Sequence, residues 1–135
     1  MKENRSFFNL YSHNFVRVAV AIPRVRVADP IFNAAQTVAL MREAAGRSAI
    51  AVVFPELGLS AYSCEDLFQQ QVLLDASLVA LEEVVQASRQ VLVITVVGLP
   101  LRIDGLLFNC AAVVHGGRLL GIVPKTYLPN YREFE

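Results

Sequence analysis

Apolar and polar positions fall along the chain in two alternating kinds of run. FVRVAVAI, residues 15–22, is β-branched and apolar and predicts a first strand. From Asp29 the period changes: Ile31, Ala34, Ala35, Val38, Met41 and Ala45 recur at helical spacing and predict one apolar helix face. Asp29 is the natural N-cap, and Pro30 sits in the first turn, where its missing N–H costs nothing. Gly46 predicts the stop. AIAVVF, residues 49–54, is a short continuous apolar run, as expected of a strand covered on both faces. A second helical region is expected from about Glu65 to Gln90, with Leu74, Leu78, Leu81 and Val85 turned inward and Glu82, Glu83 and Gln86 facing water.

The rest of the chain is strand-rich. VLVITVVGLP (91–100), LLFNCAAVV (106–114) and RLLGIVP (118–124) are three apolar runs. LRIDG separates the first two, and His115-Gly116-Gly117 reads as a hairpin turn between the last two. The order β-α-β-α-β-β-β predicts an α/β fold, followed by an aromatic and polar stretch, KTYLPNYREFE. No internal repeat, low-complexity segment or interdomain linker interrupts it.

Composition narrows the class. The chain has 135 residues, 55% hydrophobic and 18% charged, with twelve basic residues balancing twelve acidic ones. That is room for one domain with a real core and too apolar for a disordered tail. No Lys/Arg run could track phosphates, so nucleic acid is not an expected partner. The apolar stretches near 90–101 and 105–117 fall short of the roughly 18–20 residues a membrane-spanning helix needs. MKENRSFFNLYSHNF lacks the apolar centre of a secretory signal. Cys64 and Cys110 show no metal spacing and fit a reducing cytoplasm best. No membrane association is expected, whereas so high a hydrophobicity suggests buried sheet faces and apolar surface left for a partner.

Candidate chemistry concentrates at strand ends. Glu56 follows the apolar run by two residues, and Lys125 directly follows LLGIVP. In open α/β sheets ligand sites form where strands reach their carboxyl edge, so two opposite charges placed there could meet across the sheet. The residues alone leave open a helix cap, a structural ion pair, two unrelated loop charges, or an active-site base with its cation. Other signals are weaker. No GxGxxG or GxxxxGK[ST] loop exists, and HGGR has no GxSxG elbow to accompany it. His13 and His115 stand alone. Cys110 lies among apolar neighbours, where cysteine behaves as a small hydrophobe. Cys64 precedes Glu65 and Asp66, whose charges would raise a thiol pKa, opposite to what a nucleophile needs.

FPELGLSAYSCEDLF resembles the glutamate motif of the nitrilase (carbon–nitrogen hydrolase) superfamily, and GIVPKTYLPNYREFE resembles its lysine motif. More narrowly, SAYSCEDLF, KTYLPNYREFE, FVRVAVAIPRVRVADPIFNAA and LFNCAAVVHGGRLLGIVPK resemble the N-terminal glutaminase domains of glutamine-dependent NAD⁺ synthetases. The resemblance runs from Phe15 to Glu135. It implies the front half of a nitrilase-like αββα sandwich, a mixed sheet with flanking helices, over residues 15–135, with 1–14 a lead-in. It also implies a Glu–Lys–Cys triad in which Glu56 and Lys125 are the first two members. The cysteine would lie downstream of the lysine loop, so neither Cys64 nor Cys110 supplies it.

The resemblance further makes Tyr131 a candidate contact for glutamine, with Glu133 and Phe134 in the same segment. Tyr62 could orient Glu56, or be only a partly buried loop residue. Ala61 stands where nitrilase relatives often carry glycine. No cofactor is expected in these residues. ATP and Mg²⁺ would belong to a synthetase domain of the same polypeptide, not represented here, and a homo-oligomer is expected. Alone, the chain is expected to lack glutaminase activity and to associate through open sheet. A stand-alone amidase or carbamoylase, and a non-catalytic α/β assembly module, are the competing readings.

Overall fold

The computed structural model describes residues 7–127. Asp29 caps the first helix, α1 (Pro30–Gly46), accepting the Phe32 N–H at 3.1 Å, with Pro30 in the first turn. Helix α2 spans Gln71–Ala87. The strands are β1 (Val18–Val20), β2 (Ala51–Val53), β3 (Ile94–Ile103), β4 (Leu106–His115) and β5 (Arg118–Pro124). They form one mixed sheet in the order β1-β2-β3-β4-β5, parallel from β1 to β3 and antiparallel from β3 to β5.

Strand periodicity assigns the two faces. Val52, Val97, Leu99, Cys110, Ala112 and Val114 join Ala34 and Met41 of α1 and Ala80, Leu81 and Val84 of α2 in the main core. Both helices therefore cover the same face of the sheet. The opposite face carries Val18, Val20, Val53, Val96, Gly98, Ala111, Val113 and Val123; it is apolar but largely open, with Val20 82% and Val123 61% exposed. One sheet with one helical layer is half of the four-layer arrangement the resemblance implies.

The structure corrects several details. The first two strands are short, three ladder residues each. The helical region over 65–90 is broken: a 3₁₀ turn covers Glu65–Gln69, Gln70 is extended, and a second 3₁₀ turn follows α2 at Ser88–Gln90. The buried face of α1 is Pro30, Asn33, Ala34, Thr37, Met41 and Ala44, whereas Ile31 is exposed. Asn33 can face inward because its amide is fully used: it accepts the Arg26 N–H at 2.7 Å and donates to the Arg26 and Leu59 carbonyls at 2.9 and 3.1 Å. Leu78 of α2 is likewise exposed, and Leu73, Leu74, Ser77, Ala80, Leu81 and Val84 are buried instead. The helix α1 does end at Gly46, yet the left-handed residue beyond it is Ser48, with φ 60°.

LRIDG is mostly strand. β3 continues to Ile103, and only Asp104 and Gly105 make the turn, with φ 51° and 80°. Gly116 and Gly117 turn between β4 and β5 with φ 58° and 77°. Two central residues at positive φ match the twist of the flanking strands, the two-residue hairpin that Asp-Gly and Gly-Gly favour.

Candidate active site

The site grows from the end of β2. The Phe54 N–H still bonds to the Val96 carbonyl at 2.9 Å, and then the chain folds back in two successive turns. Gly58 N–H reaches Pro55 O, and Ser60 N–H reaches Leu57 O, both at 3.1 Å. Leu57 adopts φ 52° and is buried, Leu59 is buried against the main core, and the Leu59 N–H bonds to Gly98 O of β3 at 3.0 Å. These anchors lie one and three residues after Glu56 and fix where its side chain leaves the backbone. Asn33 holds the Leu59 carbonyl from α1, so the helix layer stiffens the same loop.

Lys125 follows the last residue of β5, and its N–H bonds to the Asn109 carbonyl of β4 at 2.8 Å. Its Nζ lies 2.7 Å from Glu56 Oε1, an ion pair spanning 69 positions of sequence. The Asn109 side chain donates its Nδ2–H to the same oxygen at 2.5 Å. The pair is half-exposed, 37% for Lys125 and 42% for Glu56. The Lys125 hydrogen bond holds the Glu56 carboxyl below its ordinary range; burial pushes the other way, and the Asn109 hydrogen bond and the lysine charge lower it further. The three side chains rim a cleft of about 360 Å³ whose apolar wall includes Val53, Val96, Ala111 and Val123 on the open face of the sheet.

Among the described residues Glu56 caps no helix: α1 is capped by Asp29, and Gln70 stands at the N-cap of α2 without a side-chain bond. Asn109 was not foreseen. The signal for it was a single polar side chain inside the apolar run LLFNCAAVV, on the face opposite Cys110. Among the described residues Asn109 and Lys125 donate to Glu56, and Tyr62 is 41% exposed. Tyr131, Glu133 and Phe134 lie outside the described residues. Cys64 is buried in a second cluster with Leu57, Phe68 and Leu73, its thiol donating to the Ser60 and Ala61 carbonyls at 3.0 and 3.3 Å. Cys110 belongs to the main core on the helix-covered face. Burial pushes both thiols up, so neither is prepared as a nucleophile. Ala61 has φ 72°, the left-handed conformation in which glycine carries no Cβ penalty. Among the described residues no group of three His, Cys, Asp or Glu side chains could hold a metal ion, and no helix is long and apolar enough to cross a membrane.

Glu56 and Lys125 thus meet just beyond the strands of a mixed α/β sheet, and residues 17–135 match the carbon–nitrogen hydrolase family. The chain belongs to that family. It is similar to the N-terminal region of glutamine-dependent NAD(+) synthetases: 46% identical over 129 residues to the one from Mycobacterium tuberculosis (strain H37Rv), covering 96% of this chain and 19% of that protein. The chain thus spans about a fifth of the length of such relatives. Among solved structures, the glutamine-dependent NAD(+) synthetase from Cytophaga hutchinsonii superposes with a TM-score of 0.79 at 26% identity, over 85% of this chain and 20% of that one. A mutant of the Nesterenkonia AN1 amidase from the nitrilase superfamily shares the fold, with a TM-score of 0.74 at 21% identity over 86% of this chain and 45% of its own.

Proposed function

We propose that this chain contributes the base and the cation of a glutaminase site. Its ammonia feeds the ATP-dependent amidation of deamido-NAD⁺ to NAD⁺, a ligase reaction on a synthetase domain of the same polypeptide. The observation that carries this reading is the Glu56–Lys125 contact, 2.7 Å, at the rim of the cleft on the open sheet face. The 46% identity to glutamine-dependent NAD(+) synthetases supports the choice of glutamine. The hydrolase unit comprises residues 15–135 and further residues beyond them, which supply the cysteine nucleophile. ATP and Mg²⁺ serve the synthetase step. The two unpaired cysteines suit a cytoplasmic enzyme.

In this mechanism Glu56 removes the thiol proton as sulfur attacks the glutamine carboxamide carbon. The carbonyl π pair moves to oxygen, and the Lys125 ammonium stabilises the resulting oxyanion. Glu56 returns the proton to the departing nitrogen, the C–N bond breaks, and ammonia leaves a thioester. Glu56 then takes a proton from water, whose oxygen attacks the thioester, and collapse expels the sulfur with its proton restored and glutamate released. A carboxylate held low by Lys125 is a weak base for a thiol of ordinary pKa about 8.5. Covering the half-exposed cleft would strengthen the burial effect that already pushes Glu56 upward and bring base and thiol closer in pKa.

Ammonia release from glutamine by the polypeptide carrying this segment with its complete hydrolase domain tests the proposal. Glu56→Gln and Lys125→Met should each lose on the order of 10²–10³ in rate, while NAD⁺ synthesis from added ammonia persists. Tyr131→Ala should raise KM for glutamine. Undiminished glutamine turnover by Glu56→Gln would refute the assignment, and turnover by residues 1–135 alone would refute the external nucleophile.

A further inference from the structure

Both described donors to Glu56 converge on one of its two oxygens. Lys125 Nζ lies 2.7 Å and Asn109 Nδ2 2.5 Å from Oε1. A carboxylate oxygen that accepts two hydrogen bonds, one from a cation, has its lone pairs committed and is the poorer proton acceptor. Proton transfer then falls to Oε2. The same asparagine also accepts the Lys125 N–H with its backbone carbonyl, at 2.8 Å. One residue on β4 therefore fixes the carboxylate plane by its side chain and the lysine's starting point by its main chain. Strand geometry makes this possible: Asn109 alternates with the core residue Cys110, so its side chain stands on the open face.

We infer that Asn109 is a positioning residue of the hydrolytic site: it occupies Glu56 Oε1 together with Lys125, so that Oε2 is the atom that exchanges protons with the nucleophile, the leaving amine and water. This rests on the proposed hydrolase reading and assigns a task that neither charge performs. Lys125 alone would leave the carboxylate free to rotate about its last torsion, because a single donor can follow either oxygen. A second donor from a different strand fixes that rotation.

The test uses the polypeptide with its complete hydrolase domain. Asn109→Leu keeps the branching at Cγ and removes the donor; Asn109→Asp keeps the shape and replaces the donor with a second anion. Both should lower kcat for glutamine about tenfold or more, the scale of a hydrogen bond to a charged group, with KM changed less than about twofold. Both should also move the acid limb of the kcat/KM profile to higher pH, since loss of a donor, or gain of a like charge, raises the Glu56 pKa. A merely structural role would reduce the amount of folded protein without moving that limb. If Asn109→Leu fails to fold, Asn109→Asp still reads the acid limb. An unshifted limb and kcat within twofold of wild type, in an enzyme that Glu56→Gln inactivates, would overturn this inference alone. Activity surviving Glu56→Gln would overturn the hydrolase reading beneath it.

Discussion

Gly98 of β3 lies directly beneath the peptide that carries Glu56. A Cβ placed on it would sit 3.0 Å from the Glu56 carbonyl carbon and 2.8 Å from Pro55 O, and closer still to Leu57 N. All three obstacles are backbone atoms, which cannot rotate aside as a flexible side chain can. The close approach lets the Leu59 N–H reach Gly98 O and seats the turn that projects Glu56 toward Lys125.

Gly98→Ala should therefore displace the Glu56 turn as well as destabilise the sheet. The expected loss is about 1–3 kcal/mol, the range for overpacking a well-filled site, read as a lowered midpoint in urea. Glutamine turnover in the complete hydrolase domain should fall more than stability alone explains at temperatures where the variant remains folded. A variant with unchanged midpoint and turnover would show that the turn is not held by this contact.

The Glu56–Lys125 pair gives a pH dependence of known sign. The folded state holds the Glu56 carboxyl below its ordinary value of 4.5, so near that pH the unfolded chain binds more protons. The pair's stabilisation is present above about pH 4.5 and is lost as pH falls through the lower folded value. Because both partners are more than a third exposed, the effect at neutral pH should be below about 1 kcal/mol. Thermal melts of wild type and Glu56→Gln should differ slightly at neutral pH and converge in acid. A gap that widens on acidification would contradict the assignment.

Thr95 presents the opposite situation, a polar group in the main core. It lies between Val52 and Val114 in the sheet, and its buried Oγ1 meets no hydrogen-bond partner among the described residues. An unsatisfied buried hydroxyl costs about 1–3 kcal/mol, while an apolar group of the same shape costs nothing of that kind. Thr95→Val should raise the melting temperature by a few degrees and leave turnover unchanged. A lower melting temperature would mean that the hydroxyl has a partner, an ordered water being the simplest.

Much of this was legible in the sequence for identifiable reasons. Asp29 and Pro30 announce α1 by local chemistry, and Gly116-Gly117 announces a hairpin because few residues accept positive φ twice in succession. Glu56 and Lys125 stood out as the first charges after apolar runs. Features that depend on a distant partner were hidden. Asn33 lies outside the apolar stripe the spacing predicts for α1, and only the Arg26 and Leu59 backbones that satisfy its amide let it turn inward. Asn109 reads as a stray polar residue until β5 brings Lys125 beside it, and Gly98 as an ordinary strand glycine until the Glu56 turn lies on top. The Asp104-Gly105 turn is local and readable, whereas the apolar run VLVITVVGLP stops at Pro100 and the strand continues to Ile103. That proline is tolerated because β2 pairs β3 only as far as Val96, leaving no ladder partner on that side for a missing N–H.

The open sheet face sets the last expectation. Val18, Val20, Val53 and Val123 are between 44% and 82% exposed on the face opposite the helices, and every residue of the edge strand β5 is exposed. Contiguous apolar surface of this kind is normally covered, and an apolar edge strand is a template for pairing. The chain studied alone should therefore associate in a concentration-dependent way, visible as an average mass above 14.9 kDa by light scattering. Val20→Lys combined with Val123→Lys, which places charges on that face without entering the core, should shift the distribution toward monomer and leave the far-UV circular dichroism unchanged. A monodisperse wild-type monomer would show that the face is tolerated in water, and association unaffected by both lysines would place the contact elsewhere, with the β5 edge the next surface to charge.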